Sequence, residues 1–335
     1  MIKYLIKKEG TFYKANLHAH STISDGKYTP EELKEFYKNM GYSVLAYTDH
    51  DVLIPHNDLT DDKFLALNGY EMEFHDLVQA EKPYVRRSTH ICLIALKKDN
   101  FNQVCYHRSK YLFGNSPKYR DLIKFDTSLP DFERTPTPSC INQVVKTGKE
   151  NGFFVTYNHP TWSGEKYTDY IEYNGFNAME IFNTDCYLIG LEEFNSKVYD
   201  EMLRSGKSLY CIATDDCHDP LDMGGGYTMI KAEKLDYESI TNSLTNGNFY
   251  CSTGAEINEL YIEDGYLVVK TAPAKMIALT SATMLSSVVR DTGDGPVSEA
   301  RFLIRPEYQY VRITVTDING KKAYTNAYNT NELLK

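Results

Sequence analysis

The sequence lacks several features that would each point to a particular class of protein. No Cys-x-x-Cys pair is present, and the seven cysteines are scattered and odd in number. Cys92 and Cys211 lie inside apolar runs, as expected of buried, reduced thiols in a cytoplasmic protein. No run approaches the ~18 uninterrupted apolar residues of a membrane span. Residues 1–10 lack the apolar core of ~7–15 residues that marks an export signal. Basic charge is also short, with a formal net charge of −10. A bulk basic face for nucleic acid is therefore not expected. An acidic chain can still take an anionic small molecule if bound cations supply local positive charge. Internal repeats and low-complexity segments are absent, and nothing implies an oligomeric state.

The 335 residues are enough for one large barrel with a small appendage, or for two medium domains. Seven apolar runs have strand character: Phe12–Leu17, Ser43–Tyr47, Phe64–Leu67, His90–Leu96, Phe153–Tyr157, Met179–Phe182 and Leu209–Ala213. Helices alternate with them. Thr29, Pro30 and Glu32 form a capping signature for a helix that stops at Gly41. Others are expected from Ser139 to about Gly152, from Leu188 to Arg204, and from Asp236 to Gly247. Alternation of this kind predicts a mainly parallel α/β sheet. Two stretches break the pattern. Residues 97–138 form a long mixed insertion, of the kind that is usually functional or mobile. Residues 256–335 read as short alternating strands, with Asn319-Gly320 as a hairpin-like turn, and predict a small β-sandwich-like domain.

The position of the histidines carries the chemistry. Of nine, most fall at the ends of predicted strands: His18 and His20 after the first, His50 after the second, His159 in Asn158-His159-Pro160, and His218 in Asp215-Asp216-Cys217-His218. His90 instead begins its strand. In α/β barrels the strand C-termini converge on one face, so residues far apart in sequence can meet there. Imidazoles and carboxylates without a cysteine cluster suit Zn²⁺, Mn²⁺ or Fe²⁺.

The series His18-Ala-His20-Ser-Thr-Ile-Ser-Asp25-Gly26, Thr48-Asp49-His50, Gly69-Tyr70-Glu71, His90, Asn158-His159-Pro160 and Asp216-Cys217-His218 resembles the PHP (polymerase and histidinol phosphatase) family. The resemblance spans about residues 13–255. It implies a distorted (β/α)7 barrel over 1–255, with the β-rich part from 256 as an extension. It also implies up to three divalent cations (zinc, manganese, iron or magnesium) and hydrolysis of a small-molecule phosphate ester, such as a nucleotide or sugar phosphate. Carried over, His18, His20, Glu71 and Asp216 hold one cation. Glu71 bridges to a second completed by His90 and His159, and Asp25, His50 and His218 hold the third. Asp25 stands where some members use His. Glu73 shares a strand face with Glu71 and rivals it as the bridge. Glu71, Asp216 and His218 are the implied catalytic residues, around a metal-activated hydroxide. Hydrolysis of an amide or lactone, or a non-catalytic barrel, are the alternatives.

Around this set, Arg86, Arg87, Arg108, Lys110, Lys118 and Arg120 are within sequence reach of a substrate phosphate or form a solvated basic loop. Trp162 can stack on a base or sugar ring or simply pack. Asp49 is a helix cap or an acceptor for His50. Gly224-Gly225-Gly226 is a tight turn or an anion-approaching loop. His56, His75 and His107 match no ligand position and read as surface or loop residues.

Overall fold

The structure is a computed structural model describing residues 2–78, 81 and 84–335. Its strands, in chain order, are β1 (Ile2–Tyr4), β2 (Thr11–Asn16), β3 (Val44–Tyr47), β4 (Leu65–Val78), β5 (Tyr84–Ala95), β6 (Phe153–Tyr157), β7 (Ala178–Asn183), β8 (Tyr210–Thr214), β9 (Tyr227–Ala232), β10 (Phe249–Ser252), β11 (Ile257–Glu263), β12 (Tyr266–Ser281), β13 (Ser287–Arg290), β14 (Val297–Leu303), β15 (Tyr310–Asp317), β16 (Lys322–Thr325) and β17 (Tyr328–Asn329). The helices are α1 (Pro30–Asn39), α2 (Pro138–Glu150), α3 (Tyr167–Tyr170), α4 (Thr184–Leu188), α5 (Ser196–Arg204), α6 (Tyr237–Thr245) and α7 (Thr330–Leu333).

Parallel ladders join β2 to β3, β3 to β4, β6 to β7 and β7 to β8. β3, β6 and β7 are buried throughout, which is why they read as continuous apolar runs rather than alternating ones. α1 begins with the expected capping box, Thr29 with Glu32. It buries Leu33 and Tyr37, and a fully buried side chain of Leu size contributes about 1.5–3 kcal/mol. Gly41, at φ 78°, supplies the left-handed residue that ends the turn.

Four features differ from expectation. The Phe64–Leu67 run extends through the ligand region as β4, and β5 starts six residues before His90. Together they form a long antiparallel hairpin, Gly69 opposite Ile94 and Glu73 opposite His90. β5 also runs antiparallel to β6, so the sheet is mixed rather than mainly parallel. The expected distorted (β/α)7 barrel is met only in part. Among the described residues no ladder joins β8 to β2; the seam is a single parallel bridge, Ala19 to Cys217, flanked by Asp216 N–H to His18 C=O and His20 N–H to Cys217 C=O, both 3.0 Å. Of the expected Leu188–Arg204 helix only Ser196–Arg204 forms, as α5; a separate short helix, α4, ends at Leu188, and residues 189–195 between them are irregular, with Gly190 at φ 94° and Phe194 bridged to Phe182.

The tail strands are antiparallel around an apolar cluster that includes Leu260, Leu267, Val269, Ile277, Val311 and Ile313. β10 pairs with both β9 and β16, and β1 pairs with β11, so the tail strands continue the sheet of the first 250 residues. The 97–138 insertion is anchored beside the loop after β2. Tyr106 and Ile123 pack on Ile23 and Val52, Ser116 Oγ donates to His50 C=O (2.9 Å), and Asn115 N–H donates to Ser24 C=O (2.7 Å). Among the described residues no helix is long and apolar enough to cross a membrane.

Candidate metal centre

His18 and His20 flank Ala19, whose backbone is held on both sides. Its N–H donates to Thr48 Oγ1 (3.0 Å), and its carbonyl accepts from Thr48 N–H (2.9 Å) and Oγ1 (3.1 Å). With the middle residue fixed, both imidazoles enter one cavity. Asp49 accepts from the amides and hydroxyls of Ser21 and Ser24, so it shapes the loop that carries Asp25 rather than steering His50. Three non-glycine residues of the site, Asp51 (φ 59°), His159 (φ 25°) and Asp216 (φ 54°), are left-handed. Each is pinned by its own amide: Asp51 to Glu71 C=O, His159 to the Glu180 carboxylate, Asp216 to His18 C=O. Backbone strain of about 1–3 kcal/mol per residue persists only where surrounding contacts dictate it.

The expected ligands converge. His18 Nε2 lies 3.0 Å from Glu71 Oε1 and 3.1 Å from Asp216 Oδ1; His20 Nε2 lies 3.0 Å from the same Asp216 oxygen and 3.4 Å from Glu71 Oε2. These four residues form one cluster of donor atoms. A second joins His20, Asp25, His50 and His218, which is the expected third set with His20 added. A third joins Glu71 and His90 with His50, where His159 was expected. His159 is instead displaced toward the first cluster, its Nε2 3.6 Å from both Glu71 Oε1 and Asp216 Oδ2, because its ring lies nearly parallel to that of His18 and its amide is tied to Glu180. Glu71 and Glu73 both reach His50 Nδ1, at 3.3 and 3.0 Å, but differ in placement. Glu71 is fully buried at the centre, whereas Glu73 turns one oxygen inward to His50 and the other outward to His75.

The donor set fits divalent cations. Bonds of ~2.0–2.2 Å place neighbouring ligand atoms roughly 3.0–3.5 Å apart, as these are. His20 Nδ1, His50 Nδ1, Glu71 Oε2, Glu73 Oε1 and Asp216 Oδ1 are buried without a hydrogen-bond partner. An unsatisfied buried polar atom costs about 1–3 kcal/mol, a cost that coordination removes. Charges reinforce this. Burial opposes protonation of His18 and His20, but Asp216 and Glu71 raise both well above the usual histidine range. Burial likewise opposes His159, yet Glu71, Asp216 and Glu180 lift it to about 9. Against their own burial, the imidazoles hold Glu71 and Asp216 well below the carboxylate range. Burial and the neighbouring His20 push His218 down to about 4.

Several supporting residues went unread in the sequence. Glu180 accepts from His18 Nδ1, the Thr214 hydroxyl, the His159 amide and Asn183 Nδ2. Asn158 Nδ2 donates to Glu71 Oε1 (2.6 Å), and Asn183 Nδ2 to Asp216 Oδ2 (3.1 Å). Asp185 lines the cleft, raised to about 7 by burial and by Asp216 and Asp222. The sequence signals were Asn158's place in the Asn158-His159-Pro160 motif and Glu180 as a carboxylate in an otherwise apolar strand, Ala-Met-Glu-Ile-Phe.

The cluster floors a cleft of about 540 Å³ lined by Arg86, Arg87, Phe113 and Trp162 among others. Trp162 sets its ring edge-on to His90 and His159, at 5.0 and 4.9 Å. Arg86 pairs with Asp76, and Arg87 with Asp169. Arg108 lies elsewhere: it binds Asp131 and the Thr127 and Leu129 carbonyls and lines a separate cavity. Lys110 pairs with Glu133, Lys118 with Asn115, and Arg120 donates to Arg108 C=O, so local acceptors in the insertion absorb this basic stretch. The Gly224, Gly225 and Gly226 amides do approach an anion, the buried Asp215 carboxylate. A Cβ on Gly226 would stand 2.6 Å from Thr214 O. His56 and His107 are buried rather than surface residues, packed on Tyr47 and held by Glu133 respectively.

No family profile and no curated protein matches the chain. Among solved structures it is similar to a two-domain protein from Bacteroides vulgatus containing a predicted PHP-like metal-dependent phosphoesterase, with 15% identity, TM-score 0.44, and 96% of this chain and 98% of that one covered. It is also similar to a candidate metal-dependent phosphoesterase from Bifidobacterium adolescentis, with 15% identity, TM-score 0.42, and 71% and 98% covered. A third is an amidohydrolase from Chromobacterium violaceum with bound sulfate and no metal, with 16% identity, TM-score 0.40, and 62% and 88% covered. Likenesses this distant carry no functional argument; the residues of the site do.

Proposed function

We propose that the chain is a PHP-type metal-dependent hydrolase that cleaves a small-molecule phosphate ester, and that its incompletely closed sheet is the distorted barrel of that family. One observation carries the reading. Glu71, fully buried, presents one oxygen to His18 and His159 and the other to His20, His50 and His90. A carboxylate so placed is built to span two cations. His18, His20 and Asp216 would complete one position, His90 with His159 or His50 the second, and Asp25, His50 and His218 a third.

The cleft wall bears Asp25, Glu71, Glu73, Asp185 and Asp216, and unaided it would repel an anionic substrate. Bound divalent cations would offset that charge and lower the pKa of a water from ~15.7 toward ~7. The chain's own residues do the rest. Asn158 and Glu180 fix the orientation of Glu71 and His18, Asn183 that of Asp216, and Trp162 walls the cleft over His90 and His159. Arg86, tied to Asp76 at the exposed rim, is free to turn toward a phosphate.

A panel of phosphomonoesters, phosphodiesters, amides and lactones assayed with Mn²⁺ tests this. Phosphate-ester turnover, abolished by chelation and by Glu71→Gln, is expected. Activity confined to amides or lactones would overturn the ester assignment. A chain that binds no metal and hydrolyses nothing would point to a non-catalytic module.

A further inference from the structure

The β4–β5 hairpin places four polar side chains on one face of the sheet. Glu73 pairs across the strands with His90, and His75, two residues on, pairs with Ser88. His75 belongs to none of the motif positions. Its Nε2 nevertheless lies 2.5 Å from Glu73 Oε2, and ligand atoms of Glu73, His75 and His90 all fall within 4.8 Å of one another. The other Glu73 oxygen is buried and without a hydrogen-bond partner, although His50 Nδ1, equally unpartnered, is 3.0 Å away. His90 sets Nδ1 3.3 Å from Glu71 and Nε2 2.9 Å from Ser88 Oγ; a neutral imidazole has one lone pair, so an outer ion that takes His90 leaves the inner position to Glu71, His50 and His159.

We propose that Glu73, His75 and His90 form a further divalent-cation position at the outer edge of the cluster. It rests on the metal-centre reading of the inner residues but uses a ligand, His75, outside that set. Two imidazoles and one carboxylate with an open side suit a first-row cation that keeps coordination positions for water or substrate. His75 has 43% of its side chain exposed and lines both the main cleft and a neighbouring cavity of about 550 Å³. The outer ion therefore exchanges more readily than the buried ones and meets incoming substrate first. The guanidinium of Arg134, which donates to Glu73 C=O, is neutralised by Asp51 and does not compete for the Glu73 carboxylate.

The test is equilibrium dialysis of the full chain against Mn²⁺, with metal counted per chain. The parent should hold one more weakly bound Mn²⁺ than either His75→Ala or Glu73→Gln, with the tight ions retained in both variants. Equal counts in all three overturn the outer position. So does loss only in Glu73→Gln, which would make Glu73 an inner ligand, and so does loss of every ion in His75→Ala. A parent that binds no Mn²⁺ overturns the inner centre itself, a distinguishable failure.

Discussion

Glu180 Oε1 accepts a hydrogen bond from His18 Nδ1 at 2.8 Å, both residues fully buried. The ionised carboxylate accepts, so Nδ1 carries a proton and Nε2 is turned toward Glu71 and Asp216, the nitrogen a cation would take in exchange for its proton. This orientation is set before any cation arrives. Replacing the charge by Glu180→Gln should weaken the tightest metal site by about 10–100-fold, the usual cost of losing such a partner. Competition against a chromophoric chelator reads it directly. An affinity equal to the parent's would mean that Glu180 only packs.

Arg312 of β15 and Asp200 of α5 form a bidentate pair, Nε to Oδ1 at 2.8 Å and Nη2 to Oδ2 at 2.7 Å, joined by Tyr310 OH at 3.0 Å. Both are buried, and they tie a tail strand to a helix of the preceding α/β region. Asp200→Ala strands the guanidinium and should cost about 3–5 kcal/mol in urea unfolding. The double variant Asp200→Ala with Arg312→Leu should recover much of that loss. A double variant no more stable than the single would contradict the stranded-charge account.

How far the site could be read from sequence follows from strand direction. His18, His50, His159 and Asp216 lie just after parallel strands, where strand ends converge, and their motifs were visible. His90 begins its predicted run because β5 is reversed, so its N-terminal half points at the site. Local residue choice does not encode that reversal; only the pairing with β4 creates it. Glu180, Asn158 and Asn183 act through neighbours brought close by the sheet; Asn158 stands in the His159 motif and Glu180 is the lone carboxylate of an apolar strand, but neither position shows which ligand it would touch. The expected start of α5 at Leu188 was eight residues early, because Phe194 in the irregular stretch packs and bridges to Phe182 rather than joining the helix's apolar face.

Glu165, outside the ligand set, provides a pH-dependent contribution. Burial raises its carboxyl above the ordinary 4.5, against opposing hydrogen bonds from Thr89, Tyr157 and Tyr173. The folded chain therefore keeps a proton that the unfolded chain releases. Stability from this group is full below about 4.5 and is lost as pH rises through the raised folded value. Glu165→Gln, which mimics the protonated form, should match the parent near pH 4.5 and exceed it at pH 8. Parallel stability–pH curves for the two chains would remove Glu165 as the cause.

The unpartnered Glu71 Oε2 and Asp216 Oδ1 imply that the metal-free chain carries a stability penalty that cation binding relieves. Any ion that binds the folded chain alone stabilises it, by about 2.7 kcal/mol at a concentration 100 times its dissociation constant. The melting temperature should therefore fall on chelation and recover with Mn²⁺ or Zn²⁺, in steps if the positions differ in affinity. In Glu71→Gln the recovery should be largely lost, because the shared oxygen that faces His20, His50 and His90 no longer carries charge. Scanning fluorimetry over a cation series is sufficient. A Glu71→Gln chain that regains as many degrees as the parent would show that this carboxylate does not hold the ions together.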